Sequence, residues 1–189
     1  WRDLYFYYWL IQGDGQVILV DTGVPLNKPE DFEILNRSHQ YVHEDCIHPR
    51  EHVVEPPDAL ASVHLTPADV QKVLITSTSS YATGNIELFT NADVYISRLG
   101  WENVTRGDKL GLYEERVFFP RATMEYLRGP GRTKLHLVDD EEILPGLRFW
   151  WTGVHHRGSM AVSVETARGR VNFADAAFVY ENLDEKRPI

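Results

Sequence analysis

Two serines and a tyrosine directly after a predicted strand are the first residues whose types and spacing could do chemistry. Residues 72–89 read as a buried strand over 73–75, a loop of small hydroxylated residues with Ser77, Ser79 and Tyr81, and a short apolar helical turn. Loops at the carboxyl ends of strands face a crevice in α/β proteins. A serine there becomes a nucleophile beside a base, and a tyrosine hydroxyl can act as an acid or donate to an oxyanion.

This stretch resembles the central motif of the metallo-β-lactamase superfamily, in particular its lactonase-like branch. That motif is Thr-His-x-His-x-Asp-His at the end of a strand, followed by Gly-Asn. The residues that match it are Thr76, Gly84 and Asn85. The residues at the ligand positions are Ser77, Ser79 and Ala82 for the three histidines and Tyr81 for the aspartate. Because zinc binds imidazole, thiolate or carboxylate groups, the resemblance implies that the usual dinuclear site has been lost.

Later segments extend the resemblance over residues 20–183. Val-Asp-Thr-Gly at 20–23 resembles the segment whose aspartate supports the metal-binding loops, and the supporting residues are Asp21 and Thr22. In the segment 153–159, His155 falls on a metal-binding histidine, and Asp175 falls on the carboxylate that bridges two metals. The resemblance implies the α/β (α+β) class, an αββα sandwich with mixed sheets flanked by helices and its pocket at one edge between the sheets.

The retained residues define the expected function and its alternatives. His155 and Asp175 are two donors, whereas a zinc site takes about four ligands, so no cofactor is expected in the usual dinuclear form. We expect a diverged hydrolase-like protein that binds a small ester, lactone or related acyl compound. The candidate substrate contacts are His156, Arg157 and Asn85.

Whether the protein is an enzyme stays open at the level of sequence. One alternative is metal-free catalysis, with Ser77 or Ser79 as nucleophile near His155 and Asp175, and with Tyr81 as acid or oxyanion donor. Another is a rebuilt site for zinc or another divalent metal. Its ligands would be His155, Asp175, also His156, and residues from elsewhere. The last is a non-catalytic scaffold that binds a partner through an aromatic surface.

A long polar segment, residues 25–57, predicts a lid or insertion with short helical pieces, because structureless loops above roughly 12 to 15 residues are uncommon. Its residues that could bind a metal are His39, His43, Cys46, His48 and His52. Their spacing matches no structural zinc pattern, so we interpret the segment as a solvated, histidine-rich loop. Recruitment of these residues to a rebuilt metal site is the alternative.

Periodicity predicts the remaining elements. Predicted strands cover residues 4–12, 16–20, 92–97, 133–138, 147–152 and 160–165. Helices are predicted over 57–64, from 67 with Thr66 as N-cap, and in two segments over 109–128. Residues 98–101 are predicted to end a turn, and residues 139–142 to form an acidic turn. The aromatic residues predicted to pack as core are Tyr113, Phe118, Phe119 and Tyr126.

Length and composition predict a single domain, residues 1–189. The 189 residues are 43% hydrophobic and 25% charged, as in ordinary globular proteins. A net charge of −9 argues against a nucleic-acid or membrane surface, so the expected partner is a small molecule, and a homo-oligomer is left open. One cysteine excludes an intrachain disulfide. With no signal-peptide pattern and no long apolar run, the expected location is cytoplasmic.

Overall fold

Two β-sheets organise the part of the chain that the computed structural model describes, residues 5–42, 50–109, 119–153, 155–176 and 184–185. The strands are β1 (Trp9–Gly13), β2 (Gln16–Val20), β3 (Lys72–Ile75), β4 (Asp93–Ser97), β5 (Leu135–Val138), β6 (Asp140–Leu144), β7 (Leu147–Trp151), β8 (Met160–Thr166) and β9 (Gly169–Ala174). The first sheet has the order β1-β2-β3-β4-β5, and the second has the order β6-β7-β8-β9.

Five α-helices connect these strands within the described ranges. They are α1 (Pro29–Val42), α2 (Pro56–Ala61), α3 (Ser80–Thr83), α4 (Arg98–Lys109) and α5 (Arg121–Arg128). Short 3-10 turns lie at Arg50–His52, Pro67–Asp69, Ile86–Leu88 and Arg132–Lys134. Among the described residues, no helix combines the length and the apolar character that crossing a membrane requires.

The direction of the strands in the first sheet fixes where its loops meet. Strands β2, β3, β4 and β5 run parallel, and β1 pairs with β2 as an antiparallel hairpin. The hairpin turns at Asp14 and Gly15, with φ of 48° and 73°, as its turn sequence predicts. Because β2 and β3 are parallel neighbours, Asp21 after β2 and Thr76 after β3 reach the same edge of the sheet.

Alternate residues of the first sheet pack into two separate cores. Val73 and Ile96 belong to the core that also contains Leu127 of α5. Leu74, on the opposite face, packs in the core that contains Phe149 of the second sheet. Each fully buried aliphatic or aromatic side chain contributes about 1.5–3 kcal/mol of transfer free energy. This alternation holds helices on one face and the second sheet on the other, and it confirms the predicted mixed α/β sandwich.

The predicted acidic turn at 139–142 is wrong. Residues Asp140–Leu144 form β6, which pairs antiparallel with β7 at one side of the second sheet. The Asp140 carboxylate accepts hydrogen bonds from Nε and Nη2 of Arg148 at 2.8 and 2.5 Å. A strand at a sheet edge tolerates charged side chains because solvent reaches them, so the run of charges concealed a strand.

Two other local predictions change with the structure. Residues 98–101 do not end a turn, since α4 begins at Arg98. Residues 25–57 contain the 14-residue α1, which is longer than the predicted short pieces. Residues 43–49, with His43, Cys46 and His48, lie outside the described residues. A lid at 25–57 and a single domain over 1–189 stay predictions.

The predicted aromatic core is confirmed where it is described. Phe119 is buried, and Tyr126 packs against the first core. Tyr113 and Phe118 fall outside the described residues. The capping box at Thr66 is also present, with Asp69 Oδ2 accepting from the Thr66 backbone N–H at 2.8 Å.

Candidate functional site

A buried carboxyl group fixes the loop that follows β3. Residues 76–81, which we call the serine loop, begin at Thr76, whose backbone N–H donates to Asp21 Oδ1 at 2.7 Å. The Thr76 hydroxyl oxygen lies 2.6 Å from Asp21 Oδ2. Burial raises the pKa of Asp21 to about 8, although the bonds from Thr76 oppose that rise. Asp21 is therefore mostly protonated at neutral pH, and its hydrogen bonds to Thr76 hold the start of the serine loop.

A second loop, residues 152–159, carries both histidines and is called the histidine loop below. Its last residue closes it: the backbone N–H groups of Thr152 and Gly153 donate to the Ser159 carbonyl at 2.9 and 3.2 Å. The His156 backbone N–H donates to the buried Ser159 hydroxyl at 2.8 Å. The following residue, Met160, donates its N–H to the Thr76 carbonyl at 2.8 Å, which joins the histidine loop to the serine loop.

Two glycines allow the histidine loop to pack against α4. A Cβ atom on Gly158 would lie 2.3 Å from the Cα atom of Gly100, a distance that no real Cβ contact shows. The Gly100 N–H in turn donates to the Ser97 hydroxyl at 3.2 Å. The close approach of two glycine backbones therefore fixes the position of the loop that presents His155 and His156.

Ser79 and His156 form the contact with the clearest chemical meaning. The Ser79 hydroxyl oxygen lies 3.0 Å from His156 Nε2. Ser77 donates its hydroxyl proton to the Ser79 oxygen at 3.0 Å, and it accepts from the Ser79 backbone N–H at 3.3 Å. This arrangement leaves the Ser79 proton free to bond His156. The sequence interpretation placed His155 beside the serines, and the structure places His156 there instead.

Tyr81 links the serine loop, the histidine loop and the residue after β9. Its hydroxyl donates to Asp175 Oδ2 at 2.8 Å, and its oxygen is 3.3 Å from Nε2 of both His155 and His156. His155 Nε2 is 3.8 Å from Asp175 Oδ2. Tyr81 therefore connects His155 and Asp175 to the neighbourhood of Ser77, whose hydroxyl oxygen is 3.5 Å away.

The single hydroxyl proton of Tyr81 assigns the tautomers in this network. Because that proton goes to Asp175, the Tyr81 oxygen accepts from other groups. His156 Nε2 accepts the Ser79 hydroxyl proton, so the ring proton of His156 is assigned to Nδ1. His155 then carries its proton on Nε2 and donates it to Tyr81.

The electrostatics of the cluster keep His156 and Tyr81 neutral. Burial and the neighbouring His155 ring, whose centroid is 4.0 Å away, lower the pKa of His156, while the Asp175 charge opposes them. Burial, then the Asp175 carboxylate, raises the pKa of Tyr81 far above its usual 10. A neutral imidazole at pH 7 can accept a proton, and a neutral phenol can donate a hydrogen bond.

Other predicted residues have different surroundings. The buried Asn85 side chain donates to the carbonyls of Thr22 at 2.8 Å and Val24 at 2.9 Å, so its amide supports the backbone. The Thr22 hydroxyl donates to the Ala82 carbonyl at 3.0 Å, which fits its supporting role. Arg157 has an exposed side chain, and its carbonyl accepts from Trp151 Nε1 at 2.8 Å. Substrate contacts by Asn85 and Arg157 stay predictions.

Sequence reasoning missed two residues that complete the site. Phe6 stacks on the Tyr81 ring, with centroids 4.4 Å apart and planes 14° apart. Ser159 anchors His156 as described above. Alternation in the aromatic run before β1 could have indicated that Phe6 faces the protein. The Gly-Ser pair at the end of the histidine loop could have indicated a loop closed by its last hydroxyl.

The cluster contains donors of the kinds that divalent metals bind. One ligand atom each from His155, His156 and Asp175 lies within 4.8 Å of the others. The Tyr81 hydroxyl oxygen is within 3.3 Å of an atom of each of the three. A neutral phenol is not among the groups that bind zinc. The set does not fit a divalent ion while the Tyr81 hydroxyl stands between its donors.

Several solved structures with the same fold are lactonases. An N-acyl homoserine lactone hydrolase, with the product N-hexanoyl-L-homoserine bound at its catalytic metal center, superposes with a TM-score of 0.76 and 19% identity over 97% of this chain and 68% of that one. A mutant of AiiA from B. thuringiensis, with N-decanoyl-L-homoserine at its active site, gives the same values. AidC, a dizinc quorum-quenching lactonase, gives a TM-score of 0.54 and 14% identity over 86% and 53%.

These similarities show the fold. The chain has the metallo-β-lactamase fold in the form found in lactonases, and it spans about two-thirds of the length of the first two of these enzymes. No protein-family model matches the chain. No curated protein sequence matches it either. The recognition made from four short segments of sequence is thus confirmed at the level of fold.

Proposed function

We propose that this protein hydrolyses a small ester or lactone without a metal ion, with Ser79 as nucleophile and His156 as general base. The observation that carries this proposal is the 3.0 Å contact between the Ser79 hydroxyl oxygen and His156 Nε2. A serine that only supported its loop would need no imidazole partner. The structures with this fold that hold N-hexanoyl-L-homoserine or N-decanoyl-L-homoserine support an acyl compound as substrate. The loss of the usual zinc ligands is part of the same proposal.

Each step of the reaction uses a group already in place. His156 Nε2 takes the Ser79 proton while the serine oxygen attacks the acyl carbonyl carbon, and a tetrahedral oxyanion forms. The C–O bond to the leaving alcohol then breaks, and the imidazolium gives that alcohol its proton. His156 then takes a proton from water, whose oxygen attacks the acyl carbon; the bond from that carbon to the Ser79 oxygen breaks, the imidazolium returns its proton to Ser79, and the carboxylic acid leaves. With a lactone, the alcohol and the acid remain in one molecule.

The neighbours of the pair prepare it for this chemistry. Ser77 donates to the Ser79 oxygen and so directs the Ser79 proton toward His156. Asp175 favours the imidazolium that forms during attack, since its charge raises the pKa of His156. Burial and His155 lower that pKa and keep the resting imidazole neutral. The opposing influences suit a base that works near neutral pH.

Ser79→Ala and His156→Ala test the proposal. Each should reduce kcat/KM on a panel of p-nitrophenyl esters and γ-lactones by about 100-fold or more, the usual effect of removing a nucleophile or a general base. Matched controls are Ser163→Ala and His136→Ala, which remove residues of β8 and β5 and should leave the rate unchanged. A fluorophosphonate should label Ser79, as read by peptide mass spectrometry. Unchanged rates in Ser79→Ala would reject the proposal.

The pH dependence gives an independent check of His156. Because the base must be neutral and its pKa is lowered from 6.5, kcat/KM should rise through a midpoint below 6.5 and then stay level toward neutral pH. Activity is lost at acid pH, when His156 is protonated. A midpoint above 6.5 would assign the base elsewhere.

Binding without turnover is the competing reading. It predicts no fluorophosphonate label and no hydrolysis, while an ester or lactone raises Tm by an amount that Tyr81→Ala or His155→Ala removes. Sensitivity of the rate to a chelator would instead support the metal-dependent alternative. The cytoplasmic location and any homo-oligomer stay predictions.

A further inference from the structure

Three potential metal donors converge on one hydroxyl oxygen in this site. His155 Nε2 and His156 Nε2 are each 3.3 Å from the Tyr81 oxygen, and Asp175 Oδ2 is 2.8 Å from it. Zinc would need to lie about 2.0–2.2 Å from each donor. An ion within that reach of all three donors would be in direct contact with the phenol oxygen.

The Tyr81 ring is held in this position from two sides. Phe6 stacks on it with planes 14° apart, and the Tyr81 side chain also packs against the apolar cluster of Val24, Phe32 and Leu35. The hydroxyl therefore does not leave the donors by a free rotation of an exposed side chain.

The chemistry of the phenol also opposes a metal ion. The Tyr81 hydroxyl donates its proton to Asp175 Oδ2 at 2.8 Å, as a phenol and not a phenolate does. The hydroxyl donates to the Asp175 carboxylate and accepts from His155 Nε2, and its oxygen fills the space 3.3 Å from His156 Nε2, so a cation has no room among the three donors.

We propose that the Tyr81 hydroxyl takes the place of a metal ion, with hydrogen bonds to Asp175 and His155 and with its oxygen 3.3 Å from His156 Nε2, and that removing this side chain opens a mononuclear site for Zn²⁺ or Co²⁺. Tyr81 is a positioning residue in this inference. His156 is a ligand of the opened site, together with His155 and Asp175. Metal uptake is measured without turnover, so this inference does not depend on Ser79 chemistry.

The test is a titration with Co²⁺, followed by its ligand-field absorption, and with Zn²⁺, followed by calorimetry. The wild-type chain, purified without chelator from zinc-supplemented cells, should contain far less than one equivalent of metal. Tyr81→Ala should bind one equivalent at least about tenfold more tightly than wild type, a difference of 1.4 kcal/mol. Adding His156→Ala should abolish the gain. Tyr126→Ala removes a tyrosine of α5 and serves as the control.

Tyr81→Phe separates the hydroxyl from the ring. The phenyl ring still fills the space between the donors, so this variant should stay without metal. One equivalent of metal in the wild type, lost in Tyr81→Phe, would overturn the proposal by making Tyr81 a ligand. Equal affinity of Tyr81→Ala and wild type would also overturn it. If Tyr81→Ala does not fold by circular dichroism, Tyr81→Ser replaces it, and the metal content of the wild type decides the proposal by itself.

Discussion

The serine loop and the histidine loop meet at one backbone hydrogen bond but are held in different ways. The serine loop is fixed by a side chain, the buried Asp21 carboxyl against Thr76. The histidine loop is fixed by backbone packing, where Gly158 lies against Gly100, and by its own Ser159 hydroxyl. One loop supplies hydroxyl groups and the other supplies imidazoles.

This difference teaches that neither loop is a site by itself. The hydroxyls of Ser77 and Ser79 bond each other, as a structural loop would. They acquire chemical meaning only where His156 reaches Ser79 and where Tyr81 reaches Asp175. The stability that Asp21 gives to the serine loop should therefore depend on pH. The stability that the contact between Gly158 and Gly100 gives to the histidine loop should fall when a side-chain atom is added.

The largest loss of stability is expected from Gly158→Ala, which tests how the glycine contact holds the histidine loop. The added Cβ would meet the Gly100 backbone at 2.3 Å, and backbone cannot move aside as a flexible side chain would. We expect a loss of about 2–3 kcal/mol in the free energy of unfolding, measured by urea denaturation, together with reduced esterase activity.

Gly13→Ala is the matched control, since a Cβ there meets nothing within 4 Å. It should change the free energy of unfolding by less than about 0.5 kcal/mol. Equal effects of the two substitutions would mean that the contact between Gly158 and Gly100 does not hold the histidine loop.

A pH-dependent effect is expected from Asp21→Asn, which tests how Asp21 holds the serine loop. The pKa of Asp21 is raised from 3.8 to about 8, so the folded state binds a proton that the unfolded state has lost. Its contribution is complete below pH 4 and is lost as pH rises toward 8, at up to about 1.4 kcal/mol per pH unit. Asn reproduces the protonated form, so this variant should lack that slope in Tm or urea midpoint against pH.

Asp14→Asn is the control for Asp21→Asn. Both aspartates have positive φ, 48° for Asp14 and 62° for Asp21, a region that Asn also adopts. Asp14 is exposed in the first hairpin, so its replacement should keep the wild-type slope. The loss of the slope in both variants would contradict the role of Asp21.

The smallest effect is expected from Ser159→Ala, which removes the hydroxyl that accepts from the His156 N–H. A buried donor left without its partner costs about 1–2 kcal/mol, and we expect the lower value because the surrounding backbone bonds remain. The measurable sign that His156 has loosened is a fall in kcat with little change in KM. Ser163→Ala, in the half-buried part of β8, should leave both unchanged. A fall in stability alone would leave Ser159 a purely structural role.

Local patterns in the sequence were sufficient for most of the fold. Apolar and β-branched runs identified β2, β3, β4, β7 and β8, because each of these strands buries at least one of its faces. Two predictions failed at elements that are exposed to solvent. The charged residues of the edge strand β6 were read as a turn, and the polar segment that contains α1 was read as short helical pieces. Side chains that remain hydrated carry a weak signal of secondary structure.

The sequence by itself identified candidate groups, Ser79 and Tyr81 in the loop after a strand, and His155 and Asp175 through their resemblance to the motifs of the superfamily. Only the tertiary structure decided that His156 is the histidine next to Ser79. His155 and His156 are adjacent in sequence, and the course of the histidine loop, closed by Ser159, directs one ring to the serine and the other to Tyr81. The spacing of residues in the sequence cannot predict which of the two rings reaches Ser79. That outcome depends on distances between two sheets that come together only when the chain packs.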